Sequence, residues 1–271
     1  MQNFLAKNGP IISTYFLIAI SFWIIFLIII PQIYMLDLSF RPNLPPLLRG
    51  GEEDVYTLTH YKHFLFGSET SKDAYNFVDL NVFFKTLATA VVITVLSLFF
   101  CYPIAFYIAK VAEHKTARFL IVSLIVPFWI NELLRAFAFR ILFGEEGSIN
   151  NILVFLGILS QPIDFVRENI ALYTGLGYAY ILLMIFPIYN AVESLDRNQI
   201  EAARDLGSPW WRIHWRVVIP FAKPGITSGC TMVFMLSAGA LALPQIIGGP
   251  SSLWFTQIIY QWINTGRNWP R

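Results

Sequence analysis

The sequence predicts an all-α protein, a polytopic bundle of membrane-spanning helices. Hydrophobic residues make up 56% of its 271 residues and charged residues only 13%, whereas soluble domains carry roughly 25% charged residues. The apolar residues also lie in long uncharged runs, and a helix of about 20 such residues crosses the hydrocarbon core of a bilayer. A soluble domain has too little interior to bury this surface, so membrane class follows from composition.

Five segments have the length and composition of membrane spans. Four of them contain no charged residue, whereas the third contains Glu132, Arg135 and Arg140. Because five spans leave the two termini on opposite sides of the membrane, we expect a sixth span beyond the end of the given chain. The five spans are Ile12–Met35, Thr86–Ala109, Ala117–Phe143, Ile170–Val192 and Gly225–Ile247.

The connections between these spans predict the orientation, since cytoplasmic loops are enriched in Lys and Arg. Residues 110–118 and 193–224 are rich in both, whereas residues 144–169 have Arg167 alone against four acidic residues. The chain is therefore expected to form a single transmembrane domain, residues 1–271, with a cytoplasmic N-terminus. Residues 37–85 form an external loop and residues 193–224 a cytoplasmic segment.

The cytoplasmic segment, with the sequence NQIEAARDLGSPWWRIHWRVVIPFAKPG at 198–225, predicts a helical hairpin. Asp196 is a suitable N-cap for a helix over 197–206, and Gly207 suits the left-handed residue that ends it. Ser208 then caps a second helix with Pro209 at its first position. This second helix leads into the fifth span.

Two interpretations of the hairpin are open from the residues alone. Ile200, Ala203 and Gly207 share one helix face, which would let another protein's backbone approach closely. Alternatively the hairpin is an amphipathic loop on the lipid headgroups, which suits its tryptophans beside Arg212 and Arg216.

The stretch EAARDLGSPWWRIHWRVVIP resembles the EAA signature of permeases in binding-protein-dependent ABC importers. Ile219 directly precedes Pro220, so the Leu usual before the proline is absent. The resemblance implies that the hairpin is a coupling helix that seats in a cleft of an ATPase subunit. The positions that carry this role are Glu201, Ala202, Ala203, Asp205, Gly207 and Pro220.

The resemblance covers residues 80–270 and is greatest to the permeases of spermidine and putrescine importers. It rests on LIVPFWINELLRAFAFRILF, GSINNILVFLGILSQPI and IYNAVESLDRNQIEAARDLGSPWW, and RNWP near the end resembles a segment before a last membrane helix. It implies a bacterial inner-membrane protein with four kinds of partner. These are two ATPase subunits, a second homologous permease, an external substrate-binding protein and the lipid membrane.

No residue pattern in the chain indicates an enzyme. There is no phosphate-binding Gly-x-x-x-x-Gly-Lys-[Ser/Thr] loop, so this chain is expected to bind no cofactor, with ATP and Mg on the partner subunits. The four histidines, at 60, 63, 114 and 214, are too scattered for a catalytic set. His60 and His63 near Glu52, Glu53 and Asp54 fit a solvated loop better than a metal site. A net charge of +2 without basic clusters excludes nucleic acid as a partner.

Glu132 and Arg135 are the candidate substrate-path charges, because ionisable groups at membrane depth usually face a bundle interior or a water-filled path. In one interpretation Glu132 attracts an ammonium group of the substrate; in the other the two residues merely pair with each other. Trp129, Tyr178 and Tyr180 would offer aromatic faces to a cation, and Asn131 lies beside them. Aromatic residues in a membrane bundle serve more often as packing or interface anchors, which is the alternative.

Pro244, Gly248 and Gly249 predict a broken helix in LALPQIIGG, of the kind tolerated where backbone lines a cavity; a plain helix end is the alternative. Gln245 is also a candidate path residue. It departs from the family pattern, because an acidic residue is expected at this position in the polyamine branch. The resemblance implies a polyamine importer permease. An amino-phosphonate, opine or ferric ion permease and a membrane-embedded enzyme or assembly factor are the alternatives.

Overall fold

The computed structural model describes residues 9–42, 54–67, 76–249 and 252–264, with 44, 48 and 51. Regular structure in these residues is helical throughout, and the chain divides into two compact units, 1–80 with 259–271 and 81–258. The helices are α1 (Pro10–Ile24), α2 (Ile30–Ser39), α3 (Thr59–Phe66), α4 (Phe77–Phe106), α5 (His114–Phe128), α6 (Glu132–Leu142), α7 (Ser148–Phe155), α8 (Ile170–Ala179), α9 (Ile181–Glu193), α10 (Arg197–Asp205), α11 (Trp210–Ile213), α12 (Ile219–Ala238), α13 (Ala242–Ile247) and α14 (Phe255–Asn264).

Three helices are long and apolar enough to cross a membrane, and the number rises to five if each of two bent helix pairs is one span. The three single helices are Thr14–Ser39, Phe77–Val111 and Trp210–Ala238. The pair α5 and α6 bends by 91°, and the pair α8 and α9 bends by 42°. The predicted third and fourth spans are therefore each formed by two helices that meet at a bend.

Other predicted boundaries also move. The second long helix begins at Phe77, so residues 77–85 of the predicted loop are helical. The fifth predicted span is broken at Gly239–Leu241, ahead of the predicted break, and Pro244 lies inside α13. The RNWP stretch lies outside the described residues.

In the first unit, α1 and α2 are joined by a π-helical turn at Ile25–Ile29, two residues before Pro31. The same relation occurs in the second unit, where a π-turn at His214–Val218 precedes Pro220. A proline ring clashes with the carbonyl four residues earlier, which falls in the middle of each turn. Widening the helix there accommodates the proline without breaking the span.

Also in the first unit, the Arg41 guanidinium binds the carboxylates of Asp37 and Asp54, with nitrogen–oxygen distances of 2.7 and 2.8 Å. His60 contacts the carbonyl oxygen of Arg41 through Nε2 at 3.0 Å. Within the described residues no group of three metal-binding side chains occurs; Glu52 and Glu53 lie outside them.

The second unit is built around the contact of α9 with α12. Gly225 and Gly229 form a G-x-x-x-G pattern on α12, which lets two helix backbones approach closely. A Cβ atom at Gly225 would lie 2.3 Å from the carbonyl oxygen of Pro187 and 2.6 Å from the Cβ of Ala191. A Cβ at Gly229 would lie 3.1 Å from the sulfur of Met184. No larger side chain fits at 225 without moving backbone.

Gly225→Ala is therefore expected to destabilise the protein by about 1–3 kcal/mol, because the new methyl group overlaps backbone. The measurement is the Tm of the purified protein in detergent. Gly177→Ala is the matched control, since the nearest neighbour of a Cβ at Gly177 would be Oγ of Ser97, at 3.9 Å. A Gly225→Ala protein as stable as the control would contradict the close helix contact.

Candidate functional site

A pocket lies between α6, α8 and α13. Gly175 lets α8 lie close to α13, because a Cβ atom there would lie 3.1 Å from Cδ1 of Ile247 on α13. The pocket is lined by Glu132, Arg135, Ala136 and Phe139 of α6, Gly175, Tyr178 and Ala179 of α8, and Leu243 and Ile247 of α13.

The break before α6 aims its first turn at this pocket. Asn131 caps the helix, since its Oδ1 accepts a hydrogen bond from the Leu133 backbone N–H at 2.8 Å. Glu132 and Arg135, three residues apart, then lie on the same helix face and both line the pocket. Further along α6, Arg140 donates from Nη1 to the carbonyl of Ile246 at 2.6 Å and so holds α13 against α6.

The two pocket charges are separate. In the described part of the chain no ion pair within 4.0 Å joins Glu132 to Arg135, so the simple pairing expected from their spacing is absent here. The Arg135 guanidinium carbon lies 5.6 Å from the ring centre of Phe128. Its Nε is buried and has no hydrogen-bond acceptor among the described residues. The pocket therefore presents a carboxylate and an incompletely satisfied guanidinium.

Four other predicted path residues lie outside the pocket lining. Trp129 is 84% exposed in the turn before α6, and Asn131 is occupied as the cap. Tyr180 is buried at the bend between α8 and α9. Gln245 is exposed on α13. The structure thus brings together Glu132, Arg135 and Tyr178 and no further member of the predicted set.

The charged segment, residues 193–224, folds as a helical hairpin. Oδ1 of Asp196 accepts from the backbone N–H of Asn198 at 3.0 Å, which confirms the predicted cap of α10. From Trp210 one helix runs through to Ala238, so the second arm leads, as predicted, into a helix that is long and apolar enough to be a span.

The turn between the two arms is a Schellman motif. Gly207 has a φ of 73°, and its N–H donates to the Arg204 carbonyl at 2.8 Å while the Ser208 N–H donates to the Ala203 carbonyl at 3.0 Å. Gly207 is thus left-handed as predicted. Ser208 as the cap of the second helix is wrong: Pro209, in an extended conformation, is the residue before α11, and no side chain caps it.

The two faces of α10 differ from the predicted arrangement. Ile200 is 7% exposed and belongs to the apolar core of the second unit, with Ala203 packed against it. Ile200 is thus covered by this chain itself, whereas Ala203 is half-buried and Gly207 is exposed. The exposed members of the EAA-like motif are Glu201, Ala202, Asp205, Gly207 and Pro220.

Lys110, at the end of the second long helix, anchors the start of the charged segment. Its ammonium group donates to the carbonyl oxygens of Glu193 at 3.0 Å and Leu195 at 2.5 Å. The Glu193 carbonyl lies at the open C-terminal end of α9 and the Leu195 carbonyl just beyond it, where a cation is favoured.

A second anchor joins the same long helix to the far arm of the hairpin. The Tyr102 hydroxyl and Nδ1 of His214 are 2.7 Å apart. The His214 ring centre lies 4.5 Å from that of Phe106 and 4.3 Å from that of Trp210. Arg204 of α10 lies over the other arm, 5.2 Å from the Trp210 ring centre. The second long helix therefore holds the hairpin at both ends.

Sequence reasoning missed these anchors and the role of Arg140. The role of Lys110 could have been predicted, because it is the first charged residue after a long uncharged helix. A cation at the end of a helix can bind the free carbonyl groups found at helix C-termini. The contact of Tyr102 with His214 could not have been predicted in this way, because the two are 112 residues apart.

Residues 102–265 match the family described as the binding-protein-dependent transport system inner membrane component. The chain is 33% identical over 255 residues to the spermidine/putrescine transport system permease protein PotB of Haemophilus influenzae, covering 93% of this chain and 84% of that protein. It is 31% identical over 258 residues to PotB of Escherichia coli, covering 94% of this chain and 87% of that protein.

A bacterial ABC transporter involved in import of the acidic polysaccharide alginate has a chain of the same fold. The TM-score is 0.63 at 16% identity, over 100% of this chain and 90% of that one. A second structure of the alginate transporter, in complex with an alginate pentasaccharide-bound periplasmic protein, gives a TM-score of 0.62 at 16% identity, over 100% of this chain and 88% of that one. At this identity the likeness shows the fold.

Lys110→Met is expected to loosen α10, because it removes two charge-assisted hydrogen bonds worth about 1–3 kcal/mol together. Amide hydrogen exchange over 193–206 should then be roughly fivefold faster or more. Lys115→Met, at an exposed position of α5, is the control. Equal exchange over these residues in both variants would show that Lys110 anchors nothing.

Proposed function

Because this chain belongs to the family of binding-protein-dependent transport system inner membrane components, we propose that it is the permease subunit of an ATP-driven importer that carries a polyamine, spermidine or putrescine, into the cytoplasm. Multi-pass location in the inner membrane follows from the family and from the apolar helices. The N-terminus is assigned to the cytoplasm on the distribution of Lys and Arg.

The pocket between α6, α8 and α13 carries the assignment of the cargo. Its Glu132 carboxylate forms no ion pair with a described Lys, Arg or His and so is available to an ammonium group. Tyr178 and Phe139, whose ring centres are 5.2 Å apart, offer aromatic faces that attract cations and pack on methylene groups. A linear amine with charged ends suits both. The names of the PotB relatives agree with this cargo.

The exposed face of α10 is the proposed contact with the ATPase subunit. It presents Glu201, Ala202 and Asp205 beside Gly207, at the turn between the hairpin arms. Closure of two ATPase subunits would push on this face, and Lys110 and the Tyr102–His214 contact would transmit the displacement to the second long helix. Access to the pocket would then alternate between the two sides of the membrane.

The remaining parts of the importer are proposed as partners. Two ATPase subunits would hold ATP and Mg, since this chain contains no phosphate-binding loop and is assigned no catalytic role. A second homologous permease would complete the path, and an external binding protein would deliver the cargo. The periplasmic protein present in the second alginate-transporter structure is a precedent for that delivery.

A zwitterionic amino-phosphonate is the second candidate cargo. The observation in its favour is Arg135, whose buried Nε lacks an acceptor among the described residues and which would suit an anionic group. Gln245 also favours this cargo, because it is neutral at a position where an acidic residue is expected in polyamine permeases.

The deciding experiment is reconstitution of the complete complex in liposomes with its binding protein. ATP hydrolysis and uptake are measured with spermidine, putrescine, an amino-phosphonate and ferric ion. We expect stimulation by the polyamines alone. Stimulation by the amino-phosphonate would replace the cargo and keep the importer, and absence of an associated ATPase would overturn the importer assignment for this chain.

Glu132→Gln is expected to raise the KM for polyamine uptake about tenfold, or about 1.4 kcal/mol, because it removes the charge that attracts the ammonium group. Glu145→Gln, exposed and outside the pocket lining, is the control. Equal KM values in the two variants would remove Glu132 from the path.

Glu201→Lys is expected to lower recovery of the ATPase subunit in a pull-down on the tagged permease, because it reverses charge on the exposed face of α10. Glu113→Lys makes the same change at an exposed residue outside the hairpin. If both variants recover as much ATPase as the unaltered permease, α10 is not the docking element.

A further inference from the structure

Two pockets adjoin at Arg135. The first is the pocket that Glu132 lines. The second lies against the end of α5 and the start of α9 and is lined by Ser123, Pro127, Phe128 and Ile181, among others. Arg135 and Tyr178 line both pockets, so the position of the Arg135 guanidinium sets the charge on either side.

Phe128 competes with Glu132 for this guanidinium. Glu132 and Arg135 are three residues apart on one helix, a spacing at which a carboxylate and a guanidinium ordinarily meet. In the described residues they form no ion pair within 4.0 Å, and the guanidinium carbon instead lies 5.6 Å from the Phe128 ring centre. The ring face attracts the cation without neutralising it.

The 91° bend between α5 and α6 creates this competition. Phe128 is the last residue of α5, and Asn131 caps α6 three residues later. The bend turns the first turn of α6 back toward the end of α5. A straight helix through 117–143 would carry the ring away from Arg135, because residues seven apart in a helix lie about two turns apart along its axis.

We propose that Phe128 is a positioning residue that holds Arg135 away from Glu132, so that the Glu132 carboxylate stays uncompensated for an ammonium group of the cargo. If Arg135 paired with Glu132, each arriving amine would first have to break that pair. The inference rests on the proposed function, since it assigns to Phe128 the preference of the pocket for cations.

The test is the KM for polyamine uptake by the reconstituted complex. Phe128→Leu keeps an apolar side chain but removes the ring face, so Arg135 is expected to pair with Glu132 and KM to rise about tenfold. The double variant Phe128→Leu with Arg135→Gln should return KM to the unaltered value or below. Phe128→Tyr, which keeps a ring, should rescue uptake. Phe119→Leu, at an exposed position of α5, is the matched control.

Two outcomes of this series would overturn the proposal. An unchanged KM in Phe128→Leu would show that the ring does not control Glu132. A raised KM that persists in the double variant would show that the ring acts through packing rather than through Arg135.

A second readout does not depend on the cargo. Carbodiimide-driven labelling of carboxylates with an amine, measured by mass spectrometry on the whole complex, reports the availability of Glu132. We expect severalfold lower labelling in Phe128→Leu and recovery in the double variant. If polyamine is not imported but labelling follows this pattern, the cargo assignment fails and the role of Phe128 stands. If polyamine is imported and labelling is equal in all variants, the role of Phe128 fails and the cargo assignment stands.

Discussion

Backbone groups freed at helix breaks are the constraint on which the second unit depends, because the bilayer interior offers no water to satisfy them. Where α12 ends, the carbonyl of Ser237 accepts from the indole of Trp254 at 3.1 Å and that of Ala240 from the hydroxyl of Thr256 at 2.5 Å. Where α9 ends, Lys110 satisfies two carbonyls. At these two helix ends, side chains from elsewhere in the chain complete the free carbonyls.

The same constraint distinguishes two arginines of α6. Arg140 and Arg135 lie on one helix, five residues apart. Arg140 is committed to the Ile246 carbonyl at an open helix end, whereas the buried Nε of Arg135 finds no acceptor among the described residues. A buried donor without an acceptor costs free energy, and it is tolerated here beside a pocket that an exposed carboxylate also lines. The unsatisfied Nε of Arg135 and the Glu132 carboxylate lie at the pocket where we propose that the cargo binds.

Predictions from local sequence were reliable where the predicted hydrogen bonds join residues that are close together in the chain. Asp196 caps α10 and Gly207 is left-handed, and both depend only on their immediate neighbours. Ser208 failed as a cap because its backbone is used in the Schellman turn and Pro209 is extended before α11. The face of α10 that carries Ile200 was identified correctly. It was expected to contact another protein, but it packs on the core of this chain. Periodicity shows that a face is apolar and does not show whether this chain or another covers it.

The sequence by itself determined the membrane class, the helical architecture and the hairpin with its EAA-like motif, since composition, helix period and local capping are properties of short segments. Only the tertiary structure decided which polar side chains share a pocket. Tyr178 lines it and Tyr180, two residues later, is buried at the bend instead. Spacing alone would pair Glu132 with Arg135, but the bend after α5 brings Phe128 beside Arg135. Contacts made across a bend depend on its direction, which the residues within either helix do not encode.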